Sequence, residues 1–253
     1  MDKGGKRGTP TDLIYFRTTF LVGTRMFHFS GLIFSLCAPA DTGPYTTLFV
    51  NNEKLSMEQL GELIVEFQPL GMMIPYHLTI RFSDQNYDWS QLSSLKVILP
   101  AGARVGKVIE ASLKAKLPGV VLSNVYGSIE TGGSVSGSLT QEHVGQLYPN
   151  TRVKIKHLHT RQICGPGEMG EICVENDKML LGYLGQGDKK GIDEDGFYRM
   201  GDVGMYDEQG RLFYIDRVKD LMEVGGQRFY PVTLETILDS HEDVLQVRLE
   251  LLY

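Results

Sequence analysis

Charged and aromatic residues that could hold a ligand fall where turns interrupt apolar runs. Asp202 closes the run Tyr198-Arg199-Met200-Gly201-Asp202. Asp216-Arg217 ends a hairpin read as Val203 to Tyr206, the turn Asp207-Glu208-Gln209-Gly210, and Arg211 to Ile215. Groups at a strand end are held in place by the ladder behind them, where a ligand reaches them. A glycine-rich loop, Tyr126-Gly127-Ser128-Ile129-Glu130-Thr131-Gly132-Gly133, adds an aromatic ring and a carboxylate. Pro100-Ala101-Gly102-Ala103 is small enough to let backbone approach a planar ring. His28, between Phe27 and Phe29, suits either a satisfied core side chain or a pocket wall.

Those groups need a scaffold, and periodicity supplies one. Residues 13–22, LIYFRTTFLV, are a buried strand or a helix end, and so short an apolar run does not decide between them. Ser56-Met57-Glu58-Gln59 is a capping-box pattern, and Met57, Leu60, Leu63, Ile64 and Phe67 recur at helical spacing, which predicts an amphipathic helix over 57–68. Met72 to Pro75 predicts a short strand. Leu95 to Leu99 predicts another, followed by a helix from Val105 to Lys116 and a strand from Val120 to Val125. Alternation of this kind argues for a parallel, doubly wound sheet, which binds ligands at the carboxyl ends of its strands.

Beyond Val144 the pattern changes. Arg152 to Lys156 alternates polar with apolar as a half-exposed strand, Gly165 to Gly170 is a double turn, and Glu171 to Val174 is the next strand. Short strands at this spacing mark a small antiparallel barrel or sheet. Asp188 to Gly196 is a charged, exposed loop, Pro231 opens a helix, and Val244 to Leu251 is an apolar strand.

Composition narrows the classes. The 253 residues hold 42% hydrophobic and 22% charged residues, enough for a real core. A net charge of −6, from 31 acidic and 25 basic residues with no basic block, argues against nucleic-acid binding. Cys37, Cys164 and Cys173 lack metal spacing and read as free thiols of a reducing compartment. No apolar run is long enough to span a membrane, and the start is not a secretory signal.

These motifs, in this order, resemble the adenylate-forming superfamily of acyl-CoA synthetases, coumarate-CoA ligases and firefly-type luciferases, from about residue 26 onward. Tyr126, Gly127 and Glu130 match the Tyr-Gly-x-Thr-Glu signature, Tyr198 to Asp202 resembles Tyr-Arg-Thr-Gly-Asp, and Asp216 to Lys219 resembles the hinge. Gly165 to Ile172, closed by Gly182-Tyr183, resembles the structural Gly-x-x-Gly-Glu-Ile element. The resemblance implies an α/β fold: part of a doubly wound βαβ subdomain (1–143), a small antiparallel β-barrel (144–217), then a hinge and the start of a small α+β C-terminal domain (218–253), truncated at both ends.

It also implies roles. The nucleotide would be met by Ala101, Gly102, Ala103, Tyr126, Gly127, Asp202 and Arg217, with Tyr126 stacked on adenine and Asp202 accepting from the ribose hydroxyls. Glu130 would help hold Mg²⁺, His28 and Gly132 would wall the acyl pocket, Lys219 would pivot the hinge, and Arg228 would serve as a phosphate cation. The implied cofactors are ATP/AMP, Mg²⁺ and CoA, and the implied substrate is a small carboxylic acid. It would be activated to an acyl-adenylate and then a CoA thioester.

Departures from the pattern are equally specific. Ile129 stands where a hydroxyl would touch phosphate, a deficit of about 1 to 3 kcal/mol, and Met200 replaces a second hydroxyl. Glu223, in Met222-Glu223-Val224-Gly225-Gly226, reverses an expected positive charge. The phosphate loop is missing or degenerate, with Gly4, Gly5, Lys6, Gly8 and Thr9 its scrambled echo, and no Pro-Lys-x-x-x-Gly-Lys element follows. These departures keep a second function open, that of a catalytically impaired homologue binding nucleotide or a partner without turnover. The location expected is intracellular, with cytoplasmic and peroxisomal not distinguished by the sequence; Leu251-Leu252-Tyr253 is not a peroxisomal tripeptide. Oligomeric state has no signal in the chain.

Overall fold

Alternating apolar strands and amphipathic helices build the first body. In the computed structural model the described residues are 18–25, 27–36, 45–50, 55–184, 191–224 and 227–238, with His241, Val244, Val247 and Leu249 beyond them. The elements are β1 (Thr18–Val22), α1 (Phe29–Leu36), β2 (Tyr45–Phe49), α2 (Met57–Phe67), β3 (Gly71–Pro75), α3 (Tyr76–Ser83), β4 (Val97–Ala101), α4 (Lys107–Lys116) and β5 (Val121–Leu122). The five strands pair in parallel in the order β2-β1-β3-β4-β5. The run at 18–22, open between strand and helix end, is strand.

The capping box forms. Ser56 Oγ accepts from the Gln59 N–H at 3.2 Å while Gln59 Oε1 accepts from the Ser56 N–H at 3.0 Å. Met57, Leu60 and Ile64 of α2 then bury against Leu21, Met72, Phe82 and Ile98, and Gln68 in the left-handed region, φ 45°, ends the helix.

Three expectations need correction here. The strand predicted at Leu95–Leu99 lies two residues later and takes in Pro100 and Ala101, because its parallel register with Gly71–Pro75 sets its length. The strand predicted at Val120–Val125 divides. Val121–Leu122 is the last parallel strand, Ser123 is a joint, and β6 (Asn124–Ser128) enters a different sheet. The loop read from Tyr126 to Gly133 is a hairpin, with Tyr126 to Ser128 in β6 and Gly133 opening β7 (Gly133–Ser138).

The second body is antiparallel. β6, β7 and β8 (Gln146–Leu147) form one sheet; β12 (Leu212–Arg217), β11 (Tyr198–Tyr206), β10 (Gly170–Asn176) and β9 (Thr151–Lys156) form another in that order. A bridge between Gly145 and Leu212 joins them. Both wrap a core of Tyr126, Val135, Ile155, Ile172, Val174 and Leu212. The hairpin predicted around Asp207–Gly210 is β11–β12.

The alternation in β9 misleads, since Lys154 and Lys156 are buried, at 9% and 4% exposure. The loop expected to be fully exposed folds over them: the Asp193 carboxylate, its side chain 3% exposed, lies 2.9 Å from both ammonium groups. Asp195 at 2.5 Å from Lys154 and Glu194 at 2.7 Å from Lys156 complete the cluster.

After β12 come a 3₁₀ turn (Val218–Asp220), a hairpin of β13 (Met222–Val224) with β14 (Gln227–Phe229), and α5 (Pro231–Leu238), which starts at the expected proline. Of the strand predicted over Val244–Leu251, residues 244, 247 and 249 are described and none is in a strand. The phosphate-loop reading of Gly4 to Thr9, Gly225-Gly226 and the Cys37 thiol lie outside the described residues. Among the described residues no helix is long and apolar enough to cross a membrane.

Candidate functional site

Three strands bring the first constellation together. Tyr126 comes from β6, Asp202 from β11 and Arg217 from β12, where Asp202 and Arg217 are direct cross-strand partners. The Tyr126 hydroxyl donates to Asp202 Oδ2 at 2.7 Å, across 76 residues of sequence. Arg217 Nη1 lies 3.0 Å from Asp202 Oδ1. That contact is an ion pair without the alignment of a hydrogen bond, so Oδ1 is a buried acceptor with no aligned donor.

Burial dominates the electrostatics. Asp202 is 2% exposed, and desolvation raises its carboxyl above the ordinary range against the opposing pull of Tyr126 and Arg217. The Tyr126 phenol is pushed well up by burial and then by the Asp202 charge. Tyr214 leans on Tyr126 with ring centroids 6.0 Å apart. Tyr126 is itself 8% exposed, so its ring belongs largely to the core.

The turn between β6 and β7 is fixed by backbone demands. Gly132 has φ +66°, and a Cβ there would stand 2.0 Å from the Lys178 carbonyl oxygen, so both conformation and space require glycine. The buried Thr131 hydroxyl accepts from the Ser128 N–H at 3.1 Å and turns inward to the turn's own carbonyls. Neighbouring chain locks the outside: the Asn176 side chain donates to the Thr131 carbonyl at 3.0 Å, and the Leu180 N–H to that of Glu130 at 2.8 Å.

Glu130 accepts from the Tyr183 hydroxyl. Partial burial raises its carboxyl, but this hydrogen bond and backbone donors outweigh it and the net shift is downward. Ile129 is 53% exposed at the tip.

A cleft of about 360 Å³ opens at the carboxyl ends of β1, β3 and β4. Thr24, Arg25 and His28 line one side, Pro75 and His77 come from the start of α3, and Ala101 with Gly102 ends β4. Sequence reasoning named His28, Ala101 and Gly102 and missed Thr24, Arg25 and His77. The rule that ligands bind at carboxyl ends of parallel strands, applied to Val22 and Pro75, was the available signal. Gly102 has φ +97° and open space around it. The Phe29 ring, one residue after His28, lies 3.5 Å from where a Cβ on Gly133 would be, so the cleft and the β6–β7 turn are neighbours.

The remaining predicted residues are apart from both constellations. Ala103 lies just past β4, outside the cleft lining. Lys219 is exposed in the 3₁₀ turn, and Arg228 is the cross-strand partner of Glu223 in the β13–β14 hairpin. Gly127 packs against the Gly133 carbonyl, 2.1 Å from a would-be Cβ. Asp193, Glu194 and Asp195 have the proximity of a metal cluster, yet Lys154 and Lys156 already neutralise them. Cys164 and Cys173 are buried free thiols, and burial pushes Cys173 to about 11, away from thiolate chemistry.

The profile of the AMP-binding enzyme family matches residues 6–184. The chain is 34% identical over 164 residues to 4-coumarate--CoA ligase 1 of Glycine max, covering 60% of this chain and 56% of that protein. It is 30% identical over 226 residues to the probable 4-coumarate--CoA ligase 2 of Dictyostelium discoideum, covering 86% of this chain and 40% of that one. It therefore spans about half the length, or less, of the curated relatives it matches. ATP-bound MatB of Rhodopseudomonas palustris superposes with a TM-score of 0.78 at 19% identity, over 90% of this chain and 46% of that one. O-succinylbenzoate coenzyme A synthetase of Bacillus subtilis, in complex with ATP and magnesium, gives 0.74 at 22%, over 92% and 48%. These last two establish the fold alone. With a family match across most of its length, this chain belongs to the AMP-binding enzymes.

Proposed function

We propose that this chain provides the nucleotide corner and the acid cleft of an AMP-forming acid–CoA ligase. In that reaction a carboxylate oxygen bonds to the α-phosphorus of ATP, pyrophosphate leaves, and a CoA thiol then displaces AMP to give the thioester. The supporting observation is Asp202 Oδ1, a buried acceptor without an aligned donor beside Arg217. A ribose offers the hydroxyl donors that oxygen lacks, so adenosine fits. Mg²⁺ binds through one or two carboxylates plus phosphate oxygens and water, which Glu130 alone suits, and it supplies charge neutralisation at the phosphates.

The chain's own residues then divide the work. Asp202 accepts from the ribose, Arg217 partly offsets the burial that raises the Asp202 carboxyl, and Tyr126 fixes the carboxylate plane. Ala101, Gly102 and Ala103 offer backbone to the adenine, while His28 and Gly132 border the acid. Lys219 pivots the segment that follows, and Arg228 is the remaining phosphate cation. One observation favours a second reading, a nucleotide-binding homologue without turnover: Ile129 presents hydrocarbon at the turn's tip while Thr131 turns its hydroxyl inward.

ATP–pyrophosphate exchange with a panel of fatty and aromatic acids separates the two readings. Exchange supports the ligase and sinks the inactive homologue. AMP binding without exchange does the reverse, and absence of both overturns each.

A further inference from the structure

The segment that leaves β10 crosses the turn between β6 and β7 and grips it by backbone. The Leu180 N–H donates to the Glu130 carbonyl at 2.8 Å, and the Asn176 side chain donates to the Thr131 carbonyl at 3.0 Å. Asn176 Oδ1 also accepts from the Lys178 N–H at 2.8 Å, which ties the crossing segment to itself. Three residues past Leu180, the Tyr183 hydroxyl donates to the Glu130 carboxylate. Main chain and side chain of one glutamate are thus held by one stretch of chain.

Apolar burial does not account for where Tyr183 sits. Its residue is 44% exposed, and Leu181 and Leu184 beside it are exposed as well. A phenol with an ordinary pKa of about 10 keeps its proton at neutral pH and donates it. The carboxylate has capacity to spare, since its two oxygens offer about four acceptor sites. A hard cation carrying its own water can share it with the phenol.

We propose that Tyr183 is a positioning residue for Mg²⁺: its hydroxyl fixes the Glu130 carboxylate in the orientation that takes the metal. This rests on the ligase reading, which gives Glu130 to Mg²⁺. A free glutamate side chain loses rotamer freedom when it takes a cation. Here the phenol and the pinned backbone have already removed that freedom. Outer hydrogen bonds of this kind hold metal-ligating carboxylates, and loss of one weakens metal binding by about 10- to 100-fold. The turn itself offers little help, because Ile129 is hydrocarbon and the Thr131 hydroxyl faces the turn's own carbonyls. Tyr183 therefore does more than close the structural element to which its sequence pattern assigned it.

Calorimetric titration of the chain with α,β-methylene-ATP, once with Mg²⁺ and once with EDTA, tests this. The ratio of the two dissociation constants is the gain that the metal confers. Tyr183→Phe should cut that gain by at least about tenfold and leave the affinity in EDTA unchanged. With Mn²⁺ in place of Mg²⁺, the electron paramagnetic resonance spectrum of the bound metal should change in the same variant. Leu181→Ala, in the same exposed stretch, should keep the wild-type gain, and Glu130→Gln should abolish it. Tyr183 and Leu181 are exposed, so thermal melts of the variants show that folding is retained. Three results overturn the proposal: Tyr183→Phe keeping or raising the gain, Tyr183→Phe weakening the nucleotide equally with and without metal, or Leu181→Ala matching Tyr183→Phe. If any of these occurs while Glu130→Gln still abolishes the gain, Glu130 stays the metal ligand and Tyr183 alone loses its role. A gain that survives Glu130→Gln, or is absent from the wild type, removes Glu130 from the metal and this inference with it.

Discussion

In the parallel body Leu21, Ile74, Phe82 and Ile98 are fully buried among other apolar side chains. Its buried Thr79 and Ser83 are neutral and bonded to carbonyls one turn back, at 3.3 and 2.7 Å. The antiparallel body instead buries Lys154, Lys156, Glu171 and Asp202 around its apolar residues. Ion pairs hold that arrangement: Glu171 is clasped by Arg161 at 2.7 Å and Arg199 at 3.0 Å. A body built by apolar burial has stability nearly independent of protonation, whereas one that buries charged groups inherits their titration.

Three substitutions put that contrast at risk. Phe82→Ala removes a fully buried ring stacked near Tyr87 and Trp89 at 5.6 and 5.1 Å. It should cost about 3 to 5 kcal/mol, equally at pH 7 and pH 4, in urea unfolding followed by fluorescence. A strong pH dependence of that loss would break the comparison from the parallel side.

Asp193→Ala leaves two buried ammoniums, with Glu194 and Asp195 as partial compensation, so a loss of about 3 kcal/mol is expected at pH 7. Asp193 is desolvated, but Lys154 and Lys156 outweigh this and hold its carboxyl well below the ordinary range. Its stabilisation is therefore full above about pH 4 and fades as pH falls toward the depressed folded value. The gap between wild type and variant should close in acid; a constant gap would contradict the ion-pair account.

The smallest effect has the opposite sign. Burial raises the Asp202 carboxyl, so its contribution is complete below about pH 4 and is lost as pH rises through the folded value. Asp202→Asn should gain stability relative to wild type as pH rises from about 4 to 7 while removing AMP binding. Unchanged AMP affinity in a titration would sever the site from this residue.

What could be read in advance follows the range of the signal. The capping box at Ser56 and the turn at Asp207–Gly210 are written within a few residues, and both formed as expected. The division at Ser123 was hidden because Ser123-Asn124 interrupts the apolar run from Val120 to Val125 by only two residues, and pairing with two different sheets decides where one strand ends. The burial of Lys154 and Lys156 was hidden because their cover is a distant acidic loop, and alternation looks the same whether water or carboxylate faces the polar side. Tyr126, Asp202 and Arg217 were found through a family pattern, since no local periodicity links a strand to a carboxylate so far along the chain. The cleft was half seen: Gly102 and His28 drew notice by type, while Arg25 and His77 carry no pattern and become a group only when strand ends align.

Ser123 sets a limit on how this chain can change. Its N–H bonds the Ile98 carbonyl in the parallel sheet at 3.0 Å, and its hydroxyl bonds the Ser138 carbonyl in β7 at 3.1 Å, with no slack on either side. Surface loops elsewhere can gain residues freely, but one residue added here would shift β6 by half its pleat and turn Tyr126 to the opposite face from Asp202. Descent with insertions is therefore open to most of the molecule and closed at this point.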